Sequence, residues 1–400
     1  MNLDDSCHER HPAAWRDLRA WGEGLRGLRL GALVSDRGAW VLWAVFALLV
    51  AWIMLFRMPT PGNVFFVYQD AARRWLAGET LYSDTGNGFI YLPHTAVLFT
   101  PFAPLPFMWG GVLWRILNIS VLAIAVWRLA RLANAIPERR FFFVSVPAIL
   151  LSWSGARHGQ MSLMMGAMMM LAVAELAAKR WWMASIWLTV AMAMKPLALV
   201  LALLAAVIYP RTAWRFFVCV SVMAIVPFLA QHPAYVWDQY LQCVPALSHA
   251  AENGDQGEFA QLFCMLHAAG FHIPEGARQG MRALAAVATL AACWFARRRL
   301  NPAELGIVLY TLAVGYLMLF NPRTENNTYC LLAPAIGVFL AEAASARNRV
   351  HTVFAMALTA LFLTSYPIGR LLRDQHTVWI KPFLCTVFLI VFLQKLRAAR

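Results

Sequence analysis

Four cationic groups stand where apolar sequence would otherwise continue, and their types suit one kind of ligand. Lys195, followed by Pro196, breaks the run 181–209. Arg157 and His158 break the run before it, inside Ser154-Gly-Ala-Arg-His-Gly-Gln160, and Arg323 lies in Asn321-Pro-Arg-Thr-Glu-Asn-Asn-Thr-Tyr329. An ammonium within an apolar segment is costly and marks a pathway, a partner or an anionic ligand. Converging, the four would suit a phosphate: arginine offers a bidentate fork and lysine a point charge. The plainer readings are headgroup anchors and a lysine that snorkels from a Pro-kinked helix.

A carboxylate is needed beside such a site if a hydroxyl is to be deprotonated. Asp70 is the first candidate, flanked by Phe66, Tyr68 and Trp75, and Asp84 is the second. Arg73 and Arg74 follow Asp70 at i+3 and i+4, so its plain alternative is a helix surface pair of about 0.2–0.5 kcal/mol. Asp84 reads equally well as a turn residue.

The carboxylates belong to the stretch 63–106, which alone between two early hydrophobic segments is polar, aromatic, Gly-broken and Pro-studded. Everything after it is mostly apolar. With 61% hydrophobic and 14% charged residues and a mean hydropathy of +0.58, the chain is an all-α polytopic membrane protein rather than a soluble domain. The apolar runs suggest about 12 spans, some short and hairpin-forming, with an external amphipathic helix after the first. Residues 181–209 would extend about 43 Å as one helix, too long for one crossing and short for two, which predicts two short crossings with Lys195 at the outer turn.

The net charge of +14 follows from placement. With both termini in the cytoplasm, most basic residues fall inside, among them Arg128, Arg131, Arg139, Arg140, Lys179, Arg180 and Arg297 to Arg299. No nucleic-acid partner is implied. Residues 1–38 read as a cytoplasmic segment with an interfacial amphipathic helix carrying Trp15, Leu18, Trp21, Leu25 and Leu28, and 39–400 as a single membrane domain with external loops about 57–106 and 231–279. Gly22, Gly24 and Gly27 spell GxGxxG without a preceding strand, so a dinucleotide site is dismissed. The histidines His232, His249, His267 and His272 lack ligand spacing, and no metal or cofactor is expected. The seven cysteines read as small core residues, with only Cys243 and Cys264 sharing an external segment where a disulfide would be chemically allowed. Met161, Met164, Met165, Met168, Met169 and Met170 read as helix packing.

The pattern YxxAAxxxLxGxxLYxxxxxxFxYxP, running from Tyr68 to Pro93, resembles the GT-C membrane glycosyltransferases of family 87. These are polyprenyl-phosphate-sugar-dependent enzymes, mannosyltransferases among them. The Gly159-Gln160 turn, the Lys195-Pro196 step and the Asn321 to Tyr329 turn are similar as well. In the family pattern an acidic residue precedes the aromatic pair opening the first external helix; here Asn63, Val64 and Phe65 stand there, and Asp70 lies about two turns further on.

The resemblance implies transfer of a hexose, mannose being one, from a polyprenyl-phosphate sugar to a lipid- or glycan-linked acceptor, with inversion, on the outer face of a bacterial inner membrane. Donor, acceptor and membrane lipids would be the partners. Lys195, Arg157, His158 and Arg323 would hold the donor phosphate, Asp70 or Asp84 would act as base, and Tyr68, Tyr82, Tyr91, Gln160 and Glu325 would line the substrate. Two other classes fit the span pattern: an O-antigen ligase or polymerase-like enzyme, and a transporter of lipid-linked sugars.

Overall fold

The computed structural model describes residues 34–57, 63–82, 88–253, 259–371 and 378–398, and among these it is helical with no strand. The amphipathic segment expected before residue 34, and Asp84, lie outside the described residues.

The first helix, α1 (Asp36–Phe56), starts where the Ser35 side chain accepts from the N–H of Gly38 and Asp36 places a carboxylate in the first turn. Its C-terminal end leads to α2 (Phe65–Ala77), α3 (Pro93–Phe99) and then α4 (Phe107–Ala130), which returns. Next come α5 (Arg140–His158) and α6 (Met161–Ala177). α1 and α5 run the same way. Asp36 Oδ1 accepts from the N–H of Phe141 at one end, and the N–H of Val64 reaches His158 O at the other.

α6 is the centre of the bundle. Every residue from Met161 to Leu176 is buried, so the methionines fill gaps between neighbours as adaptable packing. Its last turn carries Glu175, only 4% exposed, which Arg128 of α4 meets at 2.5 Å and Arg180 at 3.6 Å. A buried carboxylate demands such partners.

The run 181–209 folds as the length argument predicted. α7 (Trp181–Met194) stops at Lys195, whose backbone is extended, a 3-10 turn Pro196–Ala198 follows, and α8 (Leu199–Ile208) comes back. The Trp181 and Tyr209 rings, 28 residues apart, lie 5.5 Å from each other, which only a hairpin permits. Fourteen helical residues rise about 21 Å, short of a hydrocarbon core of about 30 Å, so the longer arm of the hairpin does not reach across a full core.

α9 (Pro210–Ala230) leads to α10 (Pro233–Asn253), then α11 (Leu262–Ala268) and α12 (Glu275–Arg297). The segment expected as an external loop from 231 is therefore largely helical, and α10 clasps the stretch after α2. Tyr235 donates to Glu79 O at 2.7 Å, the N–H of Leu81 reaches Gln239 Oε1 at 2.8 Å, and Thr80 donates to Gln242 Oε1 at 2.7 Å. Tyr235, Gln239 and Gln242 recur at helical spacing, a signal hidden by the polarity of the segment. No disulfide joins Cys243 and Cys264: Cys243 lies against Tyr91 O and Cys264 is buried beside Gln261.

The remaining helices are α13 (Pro302–Phe320), α14 (Ala333–Ser345), α15 (Arg349–Leu371) and α16 (Ile380–Ala398), with a 3-10 segment Asn326–Leu331 before α14. Among the described residues seven helices are long and apolar enough to cross a membrane, and three shorter apolar ones, Met161–Ala177, Trp181–Met194 and Pro196–Ile208, form the central hairpins. Long apolar side chains such as Leu48, Phe217, Leu229 and Val350 face outward, as lipid contact requires.

Candidate active site

The turn between α5 and α6 is built for position. Gly159 ends α5 at φ 70°, a left-handed cap that glycine enters freely, and a Cβ there would come within 3.2 Å of the Arg115 guanidinium. Three α4 side chains hold the turn's carbonyls. Trp114 Nε1 donates to Gly159 O at 2.8 Å, Arg115 Nη2 to Arg157 O at 2.8 Å, and Asn118 Nδ2 to Gln160 O at 3.0 Å. Arg115, 1% exposed, also donates to Gly111 O and to Asn63 Oδ1 at 2.8 Å. Its burial is tolerable because backbone and amide oxygens satisfy the guanidinium.

Asn63 stands near where the family pattern has its acid. Its amide oxygen faces Arg115 and also takes the N–H of Phe65, so this group closes a short side-chain turn ahead of α2 and braces the turn between α5 and α6. The Tyr68 hydroxyl accepts from the N–H of Met161 at 3.2 Å and lies 3.2 Å from the Tyr91 hydroxyl, while Tyr82 donates to Tyr91 O at 2.7 Å. Burial above all, then Tyr91 and weakly Glu325, holds the Tyr68 phenol far above its ordinary value; burial and Cys243 do the same for Tyr82. All stay neutral. The three tyrosines, expected to line the substrate, lie against one another, and Tyr68 and Tyr91 are buried beneath the start of α6.

Lys195 comes to the same place from the other side. Its Nζ donates to Ser162 Oγ in the first turn of α6 at 2.9 Å, and Thr95 of α3 fixes the neighbouring strand of backbone by donating to Ala193 O at 2.7 Å. Gln160 Nε2 reaches Glu325 Oε2 at 3.4 Å, joining the turn to the segment 321–325. Positive charge, the N-terminal end of a helix and a carboxylate therefore lie around one turn. That combination is suited to an anion with a proton acceptor at its side.

The other expected residues divide. Arg157 and His158 share the turn, with Arg157 Nη2 3.2 Å from His158 Nε2. Arg323 sits two residues from Glu325, but its guanidinium stacks on the Phe259 ring at 5.3 Å. Asp70 accepts from Arg74 Nε at 2.7 Å, with its side chain 39% exposed. Two residues beyond Tyr68 on a helix, it projects about 200° round from the face that meets Met161.

Two residues carry more than the sequence reading gave them. Arg115 was visible as a lone charge inside an apolar run. Lys381, in the first turn of α16, donates to Asn326 O at 2.5 Å. Its signal was the Lys381-Pro382 step, the same dipeptide as Lys195-Pro196.

The molecule is thus an all-helical, multi-pass membrane protein whose polar groups gather at one interhelical turn. The family model described as Glycosyltransferase family 87 matches residues 89–322, more than half of the chain, and the chain belongs to that family. It is a membrane glycosyltransferase. The crystal structure of ArnT from Cupriavidus metallidurans bound to undecaprenyl phosphate is similar at 16% identity and a TM-score of 0.39, over 88% of this chain and 76% of that one. The apo-state ArnT structure gives 17% identity and a TM-score of 0.37, over 88% and 75%. No curated protein matches the chain.

Proposed function

We propose that this protein moves a hexose, mannose being the first to test, from a polyprenyl-phosphate sugar to a lipid- or glycan-linked acceptor. The observation that carries the reading is the Lys195–Ser162 contact at the start of α6, beside Gln160 and Glu325. The phosphate would rest against Lys195 and the first turn of α6, with Arg157 and His158 above it. The lipid tail would follow the apolar faces of the short helices.

In this mechanism the acceptor oxygen attacks the anomeric carbon from the face opposite the phosphate, and the configuration inverts. The C–O bond to phosphate breaks, its electron pair stays on the phosphate oxygen, and the acceptor's proton passes to a carboxylate. Charge growing on the phosphate is met by Lys195, which is already in place. Of the carboxylates, we assign the base to Glu325, since it bonds to the turn whereas Asp70 is paired with Arg74 on another face. The site would face outward in a bacterial inner membrane with both termini in the cytoplasm, the orientation supported by the basic flanks.

The test is turnover by purified protein in proteoliposomes containing polyprenyl-phosphate mannose and a lipid-glycan acceptor. Release of polyprenyl phosphate with transfer of the sugar is expected. Movement of the intact lipid-linked sugar between leaflets, without cleavage, would overturn the enzymatic reading in favour of a transporter.

A further inference from the structure

The two Lys-Pro steps of the chain approach one small element, Lys381 directly and Lys195 by way of α6. Lys195 meets Ser162 of α6, and α6 is pressed against the 3-10 segment so closely that a Cβ at Gly166 would fall 2.4 Å from Leu331 Cδ2. Lys381 reaches the beginning of the same segment at Asn326 O and faces the Tyr329 ring at 5.9 Å. Cys330, between them, lies within electrostatic reach of both ammonium groups. Glu325, immediately before this segment, turns its carboxylate to Gln160.

Two lysines thus flank one short segment, and among the described residues neither forms an ion pair. Lys381 is half-buried, and a single carbonyl oxygen does not balance a full charge. Two ammonium groups beside one segment suit an anion of more than one charge. The proposed reaction supplies one: the donor is a phosphodiester with one negative charge, and the leaving group is a phosphomonoester that approaches two at neutral pH.

Building on the donor-phosphate reading above, we propose that Lys381 is a second phosphate-binding residue, which acts with Lys195 to favour the dianionic leaving group over the monoanionic donor. Lys195 would hold the phosphate in both states. Lys381 would strengthen its hold as the glycosidic C–O bond breaks and the second charge arrives. Such an interaction, stronger after the bond breaks than before, accelerates the chemical step rather than merely binding donor.

The experiment measures binding of three probes to the full-length protein in detergent: undecaprenyl phosphate, its monoanionic methyl phosphodiester, and neutral undecaprenol. The variants are Lys381→Gln, whose amide keeps a donor for Asn326 O while losing the charge, Lys381→Arg, which keeps the charge, and Lys195→Ala. Lys381→Gln is expected to weaken undecaprenyl phosphate about ten-fold or more and the methyl diester less than about three-fold, with undecaprenol unchanged and Lys381→Arg close to wild type. Equal losses for all three probes, or none for undecaprenyl phosphate, would make Lys381 a purely structural residue and overturn the proposal. If Lys195→Ala weakens both phosphates while Lys381→Gln weakens neither, the donor site stands and the second lysine falls. If wild-type protein prefers neither phosphate to undecaprenol, both readings fall together.

Discussion

Lys195 Nζ donates to Ser162 Oγ at 2.9 Å, so a cation at the tip of one hairpin is fastened to the opening turn of the most deeply buried helix of the molecule. A charge fixed before substrate arrives needs no reorganisation when a phosphate leaves. Lys195→Ala should raise the KM for donor, and the Kd for polyprenyl phosphate, by about ten-fold or more, the scale of one charge-assisted contact. Thermal stability should change little, since the partner it abandons is a hydroxyl. Steady-state kinetics over a donor series, with a melting curve as control, checks both.

The two carboxylates make opposite forecasts. Glu325→Gln keeps the shape that meets Gln160 but removes the base, and kcat should fall by about 10²- to 10⁴-fold, the usual contribution of general base catalysis. Asp70→Asn breaks only a half-exposed i,i+4 pair with Arg74 and should leave turnover within about two-fold, because such pairs contribute about 0.2–0.5 kcal/mol. The reverse pattern would return the base to α2.

Arg115 is the strut of the site. Replacing it by Met leaves the Arg157 carbonyl without its two donors in a dry interior, while Asn63 Oδ1 keeps the N–H of Phe65. One buried carbonyl so orphaned costs about 1–3 kcal/mol, so the variant should lose about that much and melt earlier. A thermal shift of the purified variant decides this, and an unchanged midpoint would remove Arg115 from the scaffold.

His94 gives the protein an acid limit. It is 3% exposed, and burial lowers its pKa to about 4 from an ordinary 6.5, the nearby Ala193 carbonyl opposing this only weakly. The folded state therefore holds the imidazole neutral where the unfolded chain would protonate it. Stability is complete above pH about 6.5 and declines as the pH falls towards 4, by about 3 kcal/mol at most. His94→Leu should flatten that decline. Melting temperatures between pH 7 and 4.5 for both proteins provide the comparison, and parallel curves would acquit the histidine.

The hairpin at Lys195 was legible because helix length against bilayer thickness is arithmetic, and the tight Gly159 turn because basic flanks fixed its parity. The methionines of α6 were equally plain as packing. Pairing was not legible. Nothing in the order of residues says that Asn63 would face Arg115, that Arg323 would stack on Phe259, or that Asp70 would turn away from the face of Tyr68. Those outcomes depend on helix rotation and on contacts spanning 52 residues or more, as between Asn63 and Arg115. The role of α10 was hidden differently: a polar segment reads as loop, and its amide and phenol groups reveal themselves as a clasp only against Glu79 to Tyr91.

The antiparallel arms of α7 and α8 also act as a ruler. Because Trp181 and Tyr209 anchor both feet at one level, the height of the ammonium is set by the number of residues in the arms, not by the flexibility of its own side chain. Four residues added to each arm would lift Lys195 about 6 Å, roughly one helical turn, past Ser162 and out of register with the carboxylate of Glu325. Insertions tolerated elsewhere in a surface loop would here change which atom of a lipid-linked substrate the charge can touch.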